Sequence, residues 1–334
     1  MSYLIQNYRG IAALLVVLFH TSGMTKYYFL DESYLTWLFE FGHAGVEFFF
    51  VLSGFIIYRI HRVDFSTPSR VYPYFLKRII RIYPIYILLT LLLLPFWLIF
   101  DSSGEQYHRE IMPLIKSLFL IPQSHFPHIG VAWTLTHEML FYITFSLFII
   151  NKKIGAFFII LWMMMIVVNI DTDNYLARFF FSRHNFLFFM GGVISYIMLK
   201  YDFKNKNMWL FFILGNLTFL ASGLFFGAQE DVISTIAFGL SSCLILFGVE
   251  NHSIEKSMKK NTILGELGNS SYSIYLTHTF FLSFLCKFIL FFGINNFLPV
   301  SAIYILIAMI SVVFGYLVYF YIEKLMLKKI RTYV

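Results

Sequence analysis

Charge is scarce in this chain. Asp, Glu, Lys and Arg make up 13% of its 334 residues, about half the share of a soluble domain. That scarcity excludes an ordinary soluble enzyme. Cysteine is nearly absent: Cys243 and Cys286 stand in apolar surroundings without metal-ligand spacing. No disulfide framework or metal centre is therefore expected, and both read as packing residues. The start lacks a basic n-region and a small-residue cleavage site, so the first apolar segment is expected to be retained. No internal repeat and no low-complexity tract is present. The residues that are abundant are apolar ones, 59% of the chain, with 42 Phe and 22 Tyr and a mean hydropathy of +0.74.

These features predict an all-α, polytopic transmembrane bundle forming a single domain over 1–334. A span needs about 20 apolar residues. Ten such stretches are expected at 7–24, 43–60, 74–100, 132–150, 154–170, 184–200, 208–227, 231–249, 270–292 and 298–322. A polar connection at 101–131 is expected to hold a short re-entrant or interfacial helix near 112–120. The net charge of +7 gives no reason to expect nucleic acid, because the cations sit in short loops. With ten spans, eighteen fall on the side of both termini: Arg59, Arg62, Arg70, Lys77, Arg78, Arg81, Lys152, Lys153, Lys200, Lys204, Lys206, Lys256, Lys259, Lys260, Lys324, Lys328, Lys329 and Arg331. The opposite side has five, Lys26, Arg109, Lys116, Arg178 and Arg183. The bias places both termini in the cytoplasm.

Polar groups inside the spans are costly and point to function. The first span, NYRGIAALLVVLFHTSG, carries Arg9 and His20. Eleven residues return to within roughly 20° of one face and rise about 16 Å. One stripe thus holds a cation near a membrane surface and an imidazole deep inside, an arrangement suited to a long ligand with an anionic end. Arg9 could equally snorkel as a topology anchor, and His20 could cap a polar helix contact.

In the second span Glu47 enters near the outer end, where it could orient His20 or simply face water. Ser53 and Gly54 sit mid-span without the glycine-flanked elbow of a nucleophilic serine, and close helix packing explains them as well. Arg78 and Arg81, three apart on one helix face, suit phosphate groups or a plain topology anchor. Pro84 is expected to kink or restart that helix. The fourth span opens on Trp133, an interfacial aromatic. It continues with His137 and Glu138, which point about 100° apart, and Glu138 needs a partner or a wet cavity. The ninth span carries Ser271, Tyr275 and His278 at i, i+4 and i+7, a polar stripe that lines a cavity or an interface.

In order, the segments RGIAALLVVLFH, FFFVLSGF, RIIRIYP, WTLTHEMLFY and SYSIYLTH resemble the acyltransferase family 3 of integral membrane proteins, over nearly the whole chain. The resemblance implies transfer of an acyl group, usually acetyl, from acyl-CoA to surface glycans such as O-antigen or exopolysaccharide. It implies a bacterial inner-membrane location and acetyl-CoA as co-substrate, with no bound cofactor. It assigns essential roles to His20 and Arg9, and the acyl donor to Arg78 and Arg81. Ser53, Gly54, Trp133, Glu138, Tyr275 and His278 match further motif positions, and Glu47 stands where the family often has an acidic residue. The chain departs from the family in lacking a proline after Glu323-Lys324. The esterase-like domain that some relatives carry is not expected here. On this reading His20 is the general base, Glu47 or Glu138 orients it, and His278 polarises the thioester or places the acceptor. The rival class is a transporter of acyl groups or lipid-linked sugars, with the buried His and Glu residues as a proton relay.

Overall fold

The computed structural model describes residues 2–30, 34–99, 106–168, 174–201, 208–249 and 262–332. Lys204, Lys206, Lys256, Lys259 and Lys260 of the charge argument lie outside the described residues, as do the ends of the expected spans at 100 and 169–170 and the first part of the polar connection, 101–105. Among the described residues there is no strand.

The helices are α1 (Tyr3–Phe29), α2 (Tyr34–Leu38), α3 (Ala44–His61), α4 (Val71–Ile99), α5 (Ile111–Leu118), α6 (Trp133–Ile150), α7 (Lys152–Val168), α8 (Tyr175–Phe180), α9 (Arg183–Lys200), α10 (Met208–Phe226), α11 (Val232–Val249), α12 (Ile263–Asn269), α13 (Ser271–Phe291), α14 (Val300–Val318) and α15 (Lys324–Arg331). Among the described residues eight segments are long and apolar enough to cross a membrane. The two expected spans outside that set are α7, with 17 described residues, and α9, whose ends carry Arg183, His184 and Lys200. A short helix appears there as α5, starting one residue before and ending two residues before the expected bounds. Pro84 and Pro95 both lie inside α4, which continues through them without a restart. A π-helical turn, Tyr319–Glu323, joins α14 to α15. The last hydrophobic segment therefore carries helix beyond the expected end at 322.

The chain divides into two compact units, Met1–Ile56 with Phe189–Tyr321, and Ile57–Phe188 with Ile322–Val334. In the first, α1 is surrounded by α12, α13 and α14. Side chains of α1 meet α13 at three levels: Arg9 with Ser271, His20 with His278, and Tyr28 with Ser283. The order is the same on both helices, so they run parallel. The level at which they meet is fixed by glycine. A Cβ on Gly10 would stand 2.4 Å from the Leu264 carbonyl oxygen, and one on Gly268 1.9 Å from that of Gln6. Only a bare backbone lets α12 lie this close to α1, and α13 starts one residue beyond α12. Cys286 is buried among Leu282, Ile289, Ile303 and Ile307, and Cys243 is buried and free. Both pack as expected.

In the second unit, α6 contacts α4 and α7. At its C-terminal end the backbone N–H groups of Ser66 and Thr67 donate to the carbonyls of Phe148 and Ile149, at 3.0 and 2.8 Å.

Candidate active site

In the first unit the stripe on α1 meets the stripe on α13. Arg9 donates from Nη2 to Ser271 Oγ at 2.9 Å and from Nη1 to Gln6 Oε1 at 3.2 Å. At the other end the rings of His20 and His278 stand with centroids 5.0 Å apart, and Tyr275 lies 5.7 Å from His278. His20 is half-buried, whereas His278 is fully buried. The proton of His278 can be assigned. Its Nδ1 lies 3.2 Å from the Ile274 carbonyl oxygen one turn back. A carbonyl only accepts, so Nδ1 carries the hydrogen and Nε2 keeps a lone pair. That Nε2 is buried without a hydrogen-bond partner, a costly state unless another molecule supplies one. An imidazole in this form accepts a proton or a hydroxyl hydrogen. It cannot donate from Nε2 to a carbonyl until it is protonated.

Glu47 takes a different place from the one expected. It is buried, 3% exposed, rather than facing water, and its Oε1 lies 3.4 Å from Nδ1 of His43. The short helical turn Glu40–His43 leads directly into α3, so His43 and Glu47 share a face at i, i+4 spacing. Nε2 of His43 lies 3.3 Å from the Gly227 carbonyl, which holds its hydrogen there. The Phe19 ring touches both His43 and His20. On α3, Gly54 is buried and Ser53 half-buried.

The second unit holds a different constellation. Arg78 is buried, and its Nη2 lies 2.8 Å from Nε2 of His61. Arginine only donates, so Nε2 accepts and the hydrogen of His61 sits on Nδ1, which donates to Asp64 Oδ2 at 2.8 Å. The guanidinium stands 5.8 Å from the ring centre of Tyr74 and 5.7 Å from that of Tyr142, within cation–π reach. Tyr142 in turn donates to Glu138 Oε1. Glu138 thus finds its partner one turn along α6, and His137 bonds separately to Asn185 Oδ1 at 2.9 Å. The arginine pair is split, with Arg78 enclosed and Arg81 exposed.

His43, His61, Asp64 and Tyr142 were missed at the sequence level. The signal was there as spacing: His43 and Glu47 are four apart, His61 and Asp64 three, and Glu138 and Tyr142 four. Trp133 packs edge-on to His137 and His184 at the mouth of a cavity of about 600 Å³ between the 107–127 and 175–183 segments.

Comparison with known proteins adds the following. The family described as "Acyltransferase domain" matches residues 3–320. The exopolysaccharide production protein ExoZ of Rhizobium meliloti (strain 1021) is 28% identical over 292 residues, covering 81% of this chain and 83% of that protein. A provisionally named O-acetyltransferase of Staphylococcus aureus (strain COL) is 25% identical, covering 94% of this chain, which spans about half of that relative's length (55%). A provisionally named acetyltransferase of Acidianus two-tailed virus is 26% identical, covering 82% of this chain and 81% of that protein. No solved structure matches the chain.

Proposed function

The chain belongs to the acyltransferase 3 family and is a multi-pass membrane acyltransferase. On that premise we propose that it transfers an acetyl group from cytoplasmic acetyl-CoA to a hydroxyl of a periplasmic or cell-surface glycan. The names of its relatives, an exopolysaccharide production protein and O-acetyltransferases, support the glycan and the acetyl group. The observation that carries the chemistry is the imidazole pair, His20 beside a His278 whose Nε2 is buried with no protein partner.

His20 acts as general base. The acceptor hydroxyl donates its single hydrogen to His20, loses it there as a proton and attacks the thioester carbonyl. The new C–O bond forms as the C–S bond breaks. The proton then passes from His20 to the departing thiolate, so CoA leaves as the thiol. The lone pair on Nε2 of His278 can accept from a neighbouring hydroxyl of the glycan, which favours placement of the acceptor as its role, in preference to polarisation of the thioester carbonyl. Arg9, held by Ser271 and Gln6, offers a cation for the donor at the other end of the stripe. Arg78 and Arg81 are proposed to bind the phosphates of CoA, and no acceptor contact is assigned to them.

The test is release of free CoA by the purified protein in lipid vesicles. Release that requires the glycan and is lost in His20→Ala supports the enzyme. Uptake of label into the vesicles without free CoA would make the chain a carrier.

A further inference from the structure

The second unit has a cavity of about 600 Å³ that no step above uses, and its size is that of a small-molecule site. We infer that this cavity is the glycan-binding subsite of the acceptor, holding a pyranose-based segment against its aromatic wall. The inference rests on the reading of the chain as a glycan acyltransferase.

Position is the first argument. The cavity takes Trp133, Thr136 and His137 from the first turns of α6. The loop carrying Arg62 and Arg70 is bonded to the other end of α6 through Phe148 and Ile149. About sixteen residues separate these ends, some 24 Å along a helix, close to the thickness of a bilayer core. Arg62, Arg70, Lys77, Arg81, Lys152 and Lys153 are all exposed and belong to the basic side, which is the cytoplasmic one by the positive-inside rule. The cavity therefore opens on the face away from the acyl donor, where a surface glycan is found.

Chemistry is the second argument. The rings of Tyr107 and His125 stack on each other at 4.6 Å with 8° between their planes, a two-ring platform with His125 exposed, and Trp133 stands in the wall beside His137. The flat C–H face of a pyranose packs on such rings, whose faces carry negative charge density. Arg178 and Arg183, with the hydroxyls of Ser124 and Ser182, supply polar groups in the same lining. A lipid chain would find these groups unmatched, whereas a sugar uses both kinds of surface.

The experiment uses the full chain in lipid vesicles. The probe is surface polysaccharide from the source cell, stripped of O-acetyl groups by mild alkali, with labelled acetyl-CoA. Tyr107→Ala and His125→Ala are expected to raise the KM for polysaccharide about tenfold each, the scale of one lost ring contact, with the KM for acetyl-CoA within twofold of wild type. His125 is exposed, so its removal spares the core. Tyr107→Phe retains the ring and should stay near wild type, which separates stacking from misfolding. Label transfer by wild type with an unchanged polysaccharide KM in both alanine variants would overturn the subsite and leave the proposed function standing. A raised KM for acetyl-CoA instead would assign the cavity to the donor. No transfer by wild type would overturn the proposed function and this inference with it.

Discussion

In the first unit a buried imidazole, His278, keeps an unpartnered nitrogen beside a second imidazole. In the second, a buried guanidinium, Arg78, is enclosed by His61, Tyr74 and Tyr142, with Asp64 behind His61. A group left short of a partner in a low-dielectric interior is held ready for a substrate. A charge held by one acceptor and two ring faces is instead fixed in place, and the Nε of Arg78, also buried without a partner, is a donor that an anionic ligand would use. The neutral lone pair in the first unit and the fixed cation in the second are why proton transfer is proposed for one and donor binding for the other.

This contrast can be broken by mutation. The largest effect is expected from His278→Ala, which removes the hydroxyl-placing nitrogen. Loss of about 100-fold in kcat/KM for the acceptor is expected, with donor KM nearly unchanged. An equal rise in donor KM would put His278 on the donor side. Next is Arg78→Lys. Lysine keeps the charge but lacks the planar fork that reaches His61 and lies against both tyrosines. Loss of one charge-assisted bond corresponds to about tenfold or more in donor KM, and Arg81→Lys, at an exposed position, should change it less. If the two lysine variants behave alike, the enclosure of Arg78 has no bearing on binding. Asp64→Asn is milder. It weakens the acceptor that keeps the His61 hydrogen on Nδ1, a neutral-bond effect of about three- to tenfold on the same KM. An effect on kcat alone would contradict a positioning role.

The smallest effect concerns the connection between α4 and α6. Partial burial and the neighbouring His128 hold the His108 imidazole down at about 4, and burial lowers His128 too. The unfolded chain titrates near 6.5 and so binds more protons than the folded one between these values. Stability of this segment is therefore constant above pH 6.5 and falls as the pH drops from 6.5 towards 4. Hydrogen exchange of 106–128 across that range should show the loss, and His108→Gln should reduce it. Protection that does not change with pH would contradict the assignment.

The helices were legible because membrane spans announce themselves by length and apolarity. The stripes on α1 and α13 were legible as well, because eleven- and seven-residue intervals return to one helix face. Their meeting was not, since it depends on Gly10 and Gly268 bringing α12 against α1, a tertiary contact. Glu47 illustrates the limit. Nothing in its position distinguished His20, on another helix, from His43, one turn away on its own. Arg78 and Arg81 share a helix face by spacing, yet only Arg78 is covered, because the ring of Tyr142 on α6 reaches one and not the other. The cavity escaped notice because its walls come from separate loops with no periodicity to read.

The central claim is that His20 transfers the proton in glycan O-acetylation. The direct measurement is proton NMR of surface polysaccharide from cells carrying wild-type protein or His20→Ala, with equal amounts of both in the membrane. O-acetyl signals present with wild type and absent with the variant are expected. O-acetyl signals of equal intensity in both would contradict the role of His20, and their absence from both would contradict the glycan as acceptor.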